Sequence, residues 1–440
     1  VKWLLDTVYA AGLLAYGPRL LYRRLRHGRY RRGWAERLWG RVPRRGGGRP
    51  CVWFHAVSVG EVNLLRPLAA ELQQHWPQWD VALSTSTDAG YDLARRRFPH
   101  WQVFFCPMDF SWAVREAFCR IRPQMLVLVE LELWPQLLAE AAHWNAPVAV
   151  INARLSPRSF RGYRLLGPLV RRMLGRVQLV AAQSETYAQR FRRLGAAAER
   201  VHVTGSLKFD GVQTDPGNRQ TQALRRLAGI APDHVVLLAG STQAEEEHLV
   251  LQTYRQLRPR CPQLRLVLVP RHPERFDAVA RWLKQQQVPV VRRTRLQLQE
   301  RPLAAAQPPV LLVDTVGELG AWWGTAQVAL VGGSFGRRGG QNMIEPAAYG
   351  AAVCFGPRTE NFRDVVALLL EHDAACVVRN QQELTDFVRR CLEEPAWAQA
   401  LGRRAQQLVL SQQGAAARTR RLLERLQAQR LLSPLAGRAA

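Results

Sequence analysis

Residues 125–156 read MLVLVELELWPQLLAEAAHWNAPVAVINARLS. The run Met125–Val129 is apolar without alternation, as in a strand buried on both faces. Pro135 opens a segment to His143 with helical periodicity, and a second apolar run, Val148–Ile151, follows. Short Val/Leu-rich strands alternating with amphipathic helices predict a parallel sheet covered on both faces. The same rhythm extends in both directions. Towards the amino terminus it predicts strands at Cys51–His55, Val81–Leu83 and Val103–Phe105 and a helix at Glu61–Gln74; beyond, it predicts a strand at Leu179–Ala182. A polar stretch with Asp215-Pro216-Gly217-Asn218 interrupts the rhythm as a linker. It then restarts with expected strands at Val235–Leu238, Leu266–Val269, Val310–Val313, Val328–Val331 and Ala352–Phe355, and a helical tail from about Glu383 to Arg430. The expected architecture is α/β, with two doubly wound halves and a cleft between them. Ligands in such sheets bind beyond the carboxyl ends of the strands.

The chain has 440 residues, 47% of them hydrophobic, enough for more than one core. The expected division is an amino-terminal segment over 1–45, one Rossmann-like domain over 46–215 and a second over 216–440 that includes the carboxy-terminal helices. The formal charge is +27. Nucleic acid, an anionic membrane surface and anionic small substrates all fit that sign, and so does plain solvated surface. Lys stands only at 2, 208 and 284, and every other basic residue is Arg, a skew that favours the last reading. The seven Cys are scattered, none at metal-ligand spacing. Buried free thiols in a reducing compartment are expected.

Residues 3–22 read WLLDTVYAAGLLAYGPRLLY. Asp6, Gly17, Pro18 and Arg19 interrupt this segment, so it falls short of a clean run of about 20 apolar residues. Arg23-Arg24-Leu25-Arg26 through Arg31-Arg32 follow. A short apolar helix with adjoining Arg reads as an anchor on the cytoplasmic face of a membrane, or as a first helix packed on the body.

Five constellations carry candidate chemistry, all near strand ends. Ser58 and Glu61 have capping-box spacing, and Glu61 is also placed to serve as a general base. Glu130 and Glu132 end an apolar strand, where charges are costly unless paired or used; Arg154 after the next strand is a candidate partner. Lys208, in Thr204-Gly205-Ser206-Leu207-Lys208-Phe209-Asp210, is a rare ammonium in an Arg-rich chain, as a phosphate would require, or is retained by chance. Arg271 and His272 precede Pro273, as phosphate or base ligands or as a helix start. Gly332-Gly333-Ser334 and Gly339-Gly340-Gln341-Asn342-Met343-Ile344-Glu345 would let backbone amides approach an anion, although Asn342 and Glu345 also have cap spacing. No Asp-x-Asp pair stands at a strand end to hold a divalent ion, and no metal or other cofactor is expected.

Taken together and in this order, these motifs resemble the bacterial Kdo transferases of lipid A biosynthesis, which transfer 3-deoxy-D-manno-octulosonic acid. The likeness covers nearly the whole chain. It includes Ser58–Glu61, Glu130–Pro135, Ile151–Ser156, Leu207–Asp210, Gly240-Ser241-Thr242 with Glu245-Glu246-Glu247, Val269–Arg275, Asp314–Leu319, Gly332-Gly333-Ser334, Asn342–Pro346 and Phe355-Gly356-Pro357. The resemblance implies a GT-B fold, CMP-Kdo as donor and an acylated glucosamine disaccharide, the tetraacylated lipid A precursor, as acceptor. It implies inversion without a metal at the cytoplasmic face of the bacterial inner membrane. Glu61 matches the general base, and Glu130 and Lys208 the groups that stabilise the transition state. Arg271, His272, Val316, Gly317, Glu318, Gly333, Ser334, Asn342, Met343, Ile344 and Glu345 match the donor contacts. The chain departs from the family pattern at Leu131, Ser206, Val316, Gln341 and Arg337-Arg338. A transferase using another nucleotide sugar is the alternative enzyme. A basic nucleic-acid-binding protein is the non-enzyme reading, disfavoured because no recognised binding motif is present and acidic groups cluster where the cleft is expected.

Overall fold

The computed structural model describes residues 2–27, 32–296 and 309–432. Two compact units make up the chain: Val1–Gly211 with Gln413–Ala440, and Val212–Gln412. The first carries β1 (Cys51–His55), β2 (Asp80–Thr85), β3 (Gln102–Phe105), β4 (Met125–Val129), β5 (Val148–Ala153), β6 (Leu179–Ala182) and β7 (Val201–Val203). These form one sheet in the order β3-β2-β1-β4-β5-β6-β7, parallel throughout. β4 sits centrally, with Phe54 opposite Val127 on one side and Ala149 opposite Val127 on the other. Its five residues are all buried, so the absence of alternation in the sequence reflects helices on both faces of the sheet.

The second unit carries β8 (Val235–Thr242), β9 (Leu264–Pro270), β10 (Val290–Arg292), β11 (Val310–Leu312), β12 (Val328–Val331), β13 (Ala352–Phe355) and β14 (Cys376–Val377). Their order is β10-β11-β9-β8-β12-β13-β14, again parallel. In each sheet the order reverses direction beside the first strand, between β1 and β4 and between β8 and β12. Those reversals are the topological switch points at which ligands bind in doubly wound sheets. Both units thus have the doubly wound, Rossmann-like form expected of the GT-B class.

The helical tail is three helices, Gln381–Glu393, Pro395–Gln412 and Ala415–Leu432. The last packs on the first unit, where a single boundary near 215 would leave it in the second. Ala415, Leu423 and Leu426 are buried in the first unit's core. Arg420 pairs with Glu71 at 3.0 Å, and the Trp76 indole donates to Glu424 at 3.2 Å. Apolar burial on the helix Val59–His75 therefore decides which sheet the tail completes.

The amino-terminal helix, Lys2–His27, is also tied to the first unit. Asp6, an apparent interruption of an apolar segment, is buried and accepts from the Ser111 amide and hydroxyl at 2.8 and 2.5 Å. It thereby caps the helix Ser111–Ile121. Tyr9 donates to Asp109, which accepts the Gln136 and Leu137 amides opening the helix Pro135–His143. On the same helix Trp3 and Leu14 are 83% and 79% exposed. Among the described residues, no helix is long and apolar enough to cross a membrane. Residues 28–31 of the basic run lie outside the described residues.

Candidate active site

The β1–β4 switch point brings three carboxylates together. Glu61 stands in the first turn of the helix that follows β1, and Glu130 and Glu132 follow β4 directly. Ser58 caps that helix, accepting from the Glu61 amide at 3.4 Å. The Glu61 carboxylate accepts from the Val57 amide at 2.7 Å and from the Ser58 hydroxyl at 2.8 Å. Capping and base chemistry are compatible here, because each carboxylate oxygen has two lone pairs and these bonds use one on each. Burial, with the nearby Glu130 charge adding, raises the Glu61 pKa above its ordinary value. Glu132 is pushed up to about 7 by burial first and by Glu61 second, against one bond from the Trp134 indole. The cluster therefore holds a proton near neutrality, as a site for proton transfer requires.

Backbone strain marks the same strand ends. Glu130 and Asn152, both non-glycine, have φ of 63° and 49°. Asn152 sits where the β5–β6 register shifts. Its Oδ1 accepts from the Leu207 amide at 3.0 Å, and the neighbouring Ile151 carbonyl accepts from the Glu130 amide at 2.9 Å. Asn152 thus ties the loop after β7 back to the end of β4, three strands away in the sheet. Leu207 and Phe209 are buried, and Asp210 accepts the Gly414 and Ala416 amides at the start of the last helix. Lys208 stands half-buried between these anchors. Asn152 carried no chemical signal in the sequence beyond its place before Arg154.

In the second unit the corresponding ends are occupied differently. Glu246, in the first turn after β8, is fully buried and accepts from four amides: Gln243 and Gly333 at 2.8 Å each, Ser334 at 2.8 Å and Phe335 at 3.1 Å. Its carboxylate bridges the β8–β12 switch point. A Cβ on Gly332 would meet the Ser241 carbonyl oxygen at 2.6 Å and Glu246 Oε2 at 2.8 Å, so only glycine allows this close approach. Beside it, Arg275 makes a two-pronged pair with Glu247, both bonds 2.7 Å. Arg271 is exposed and His272 half-buried, 3.7 Å from Glu274. Val316 and Gly317 form an exposed turn, Gly317 with φ 92°. The Glu318 carboxylate is held by Arg293 at 2.9 and 2.8 Å and accepts from the Thr315 hydroxyl at 2.8 Å. Asn342 accepts from the Ile344 amide and donates to Glu345 at 3.0 Å. Burial raises the Glu345 pKa against that bond. Met343 and Ile344 are core side chains. Among the described residues, no group of three or more His, Cys, Asp or Glu could hold a metal.

A family model described as 3-Deoxy-D-manno-octulosonic-acid transferase (kdotransferase) matches residues 32–211. The 3-deoxy-D-manno-octulosonic acid transferase of Haemophilus influenzae is 32% identical over 376 residues, covering 85% of this chain and 86% of that one. The Bordetella pertussis enzyme of the same name is 35% identical over 385 residues, with the same shares covered. The chain belongs to the 3-deoxy-D-manno-octulosonic acid transferase family. It is a glycosyltransferase. Among solved structures, the UDP-GlcNAc 2-epimerase of Neisseria meningitidis bound to UDP-GlcNAc aligns with TM-score 0.53 at 13% identity, covering 82% of this chain and 99% of that one. Anabaena Alr3699/HepE in complex with UDP and glucose aligns with TM-score 0.50 at 17% identity over 85% of this chain and 98% of that one. These two likenesses are of fold alone.

For this Kdo transferase family member, the amides of Gly333 and Ser334 are not spare anion ligands, because Glu246 already takes them. Repulsion between that carboxylate and an incoming phosphate would bar the anion from the same amides, so any donor contact of Gly333 and Ser334 is made by their other atoms. Glu318 is likewise engaged through its side chain. A testable consequence is that Glu246→Gln, with one acceptor oxygen in place of two, orphans two buried amides. That costs about 2–4 kcal/mol and lowers the second unit's melting temperature by roughly 5–10 °C. An unchanged melting curve would mean that water satisfies these amides.

Proposed function

We propose that the chain transfers Kdo from CMP-Kdo to the acylated glucosamine disaccharide precursor of lipid A, with inversion and without a metal. The observation that carries this reading is the carboxylate cluster of Glu61, Glu130 and Glu132 at the first switch point, in a chain of this family. Glu61 takes the proton of an acceptor hydroxyl as its oxygen attacks the anomeric carbon. The bond from that carbon to the CMP phosphate oxygen breaks, and CMP leaves with the electron pair. A single displacement inverts the anomeric carbon. Lys208 meets the charge growing on the leaving phosphate, and Glu130 the positive charge developing on the sugar. One phosphate on the donor needs less neutralisation than a diphosphate does, which favours a reaction without a metal.

The first unit is the acceptor unit in this reading. The second is the donor unit, with Arg271, His272, the Val316-Gly317 turn, and Asn342 and Glu345 facing the nucleotide. The deciding experiment is competition between nucleotides. CMP is expected to inhibit transfer and to raise the melting temperature, with UDP doing neither; the reverse would give the donor to a UDP-sugar.

The amino-terminal helix lies on the cytoplasmic face of the inner membrane in this account. Its inner face is docked through Asp6 and Tyr9, while Trp3, Val8 and Leu14 are exposed, and Arg26 follows. Burying each large apolar side chain contributes about 1.5–3 kcal/mol. The double variant Trp3→Ser/Leu14→Ser should therefore partition at least about tenfold more weakly into vesicles containing phosphatidylglycerol. Unchanged partitioning would take the contact away from this helix.

A further inference from the structure

The first unit contains a cavity of about 700 Å³ that no step above uses. The amino-terminal helix contributes Tyr9, Gly12 and Leu13 to its lining, and Met108, Phe110 and Leu137 contribute from the body. Two further lining residues connect it to the carboxylate cluster. Val57 donates its amide to Glu61, and Trp134 donates its indole N–H to Glu132. The cavity thus adjoins the reacting end of the site through residues already bonded to it.

Three of its polar groups are engaged or uncharged. Asp109 is engaged by two amides and the Tyr9 hydroxyl. His55 is fully buried, its Nδ1 2.9 Å from the Ser84 hydroxyl, and burial lowers its pKa to about 4, so it is neutral. Burial likewise pushes the Cys106 thiol up to about 12. Arg37, also in the lining, donates from its Nε to the Arg32 carbonyl and lays its guanidinium over the Phe105 ring at 4.3 Å, and Ser86 and Thr87 add two hydroxyls. The remaining lining is largely apolar, and such a cavity holds water poorly and accepts hydrocarbon well. Its volume lies within the roughly 300–1,000 Å³ of ordinary ligand sites.

We propose that this cavity receives one fatty-acyl chain of the acceptor. The inference rests on the reading of the acceptor as an acylated lipid. Val8 is at once a lining residue and 56% exposed, so the cavity reaches the exposed surface of that helix. A chain leaving a membrane surface at that helix enters the cavity, and its sugar is left at the Val57–Glu61 end. Each buried methylene contributes about 0.8 kcal/mol. Part of that binding energy holds the acceptor hydroxyl against the base, so the tail positions the head for reaction.

Gly12 provides the test. A Cβ built there meets nothing within 4 Å, and the position is helical, so Gly12→Leu projects a side chain towards the cavity without forcing the backbone. Kinetics are measured with the tetraacylated acceptor and with the fully deacylated disaccharide. The ratio of their kcat/KM values is expected to fall at least tenfold in Gly12→Leu relative to the parent. Calorimetric titration with decanoate provides a readout independent of turnover: the parent binds it and Gly12→Leu binds at least tenfold more weakly. An unchanged acceptor ratio with unchanged decanoate binding overturns the proposal, as does an equal loss on both acceptors. If the parent transfers no Kdo yet binds decanoate, and Gly12→Leu does not, the acceptor reading fails while the cavity's preference for hydrocarbon stands.

Discussion

Glu61→Gln is expected to lower kcat by about 10²–10⁴ while leaving CMP affinity and the melting temperature close to those of the parent. The local bonds explain why the fold survives. The Gln carbonyl can still accept from the Val57 amide, and its NH₂ can donate to the Ser58 hydroxyl where the carboxylate accepted from it. Only basicity is lost. In the parent, the reactive form is the carboxylate, and burial raises its pKa. Activity should therefore fall on the acid side through a limb above the ordinary Glu value. Glu132 titrates at about 7 and above that adds a second negative charge beside Glu61. Its raised pKa also bears on stability. The contribution is fully present below the ordinary value of 4.5 and is lost as pH rises through about 7. Near-parental turnover by folded Glu61→Gln protein would leave Glu61 as a cap alone.

Lys208→Arg is the second large effect, a drop of at least about tenfold in kcat, or ~1.4 kcal/mol in the barrier. Charge is conserved, so the loss must come from shape. Buried Leu207 and Phe209 and the Asp210 cap fix the backbone on either side of Lys208. With the loop also tied to Asn152, the longer, planar guanidinium has little freedom to withdraw and make room for itself. Interactions aimed at charge that develops in the transition state raise turnover more than ground-state affinity. CMP affinity should therefore change little. Equal kcat in the two proteins would make Lys208 a surface ammonium retained by chance.

How far the sequence disclosed this arrangement depended on burial. The central strands β1, β4, β6, β12 and β13 match the predicted runs residue for residue, because strands covered on both faces must be continuously apolar. The edge strands β7, β10 and β14 were missed. They have only two or three residues, too short for an apolar run within the strand to mark them. The predicted base and its carboxylate neighbours lie where strand-end logic expected them. Glu246 was quoted within a motif, yet its role as acceptor for the glycine-rich loop was hidden, because its partners at Gly333–Phe335 are 87–89 residues away. Asp6 was read as a flaw in an apolar helix. Its partner, Ser111, is 105 residues distant, and only tertiary structure reveals a docking contact of that kind.

The most direct test of the central claim is the mass of the product formed when the chain is incubated with CMP-Kdo, generated in place, and the tetraacylated glucosamine disaccharide. The account predicts that the lipid gains the mass of one or more Kdo residues, that CMP is released in equal number, and that Glu61→Gln forms almost no product. Free Kdo and CMP with an unmodified lipid, or transfer that proceeds equally well in Glu61→Gln, would contradict it.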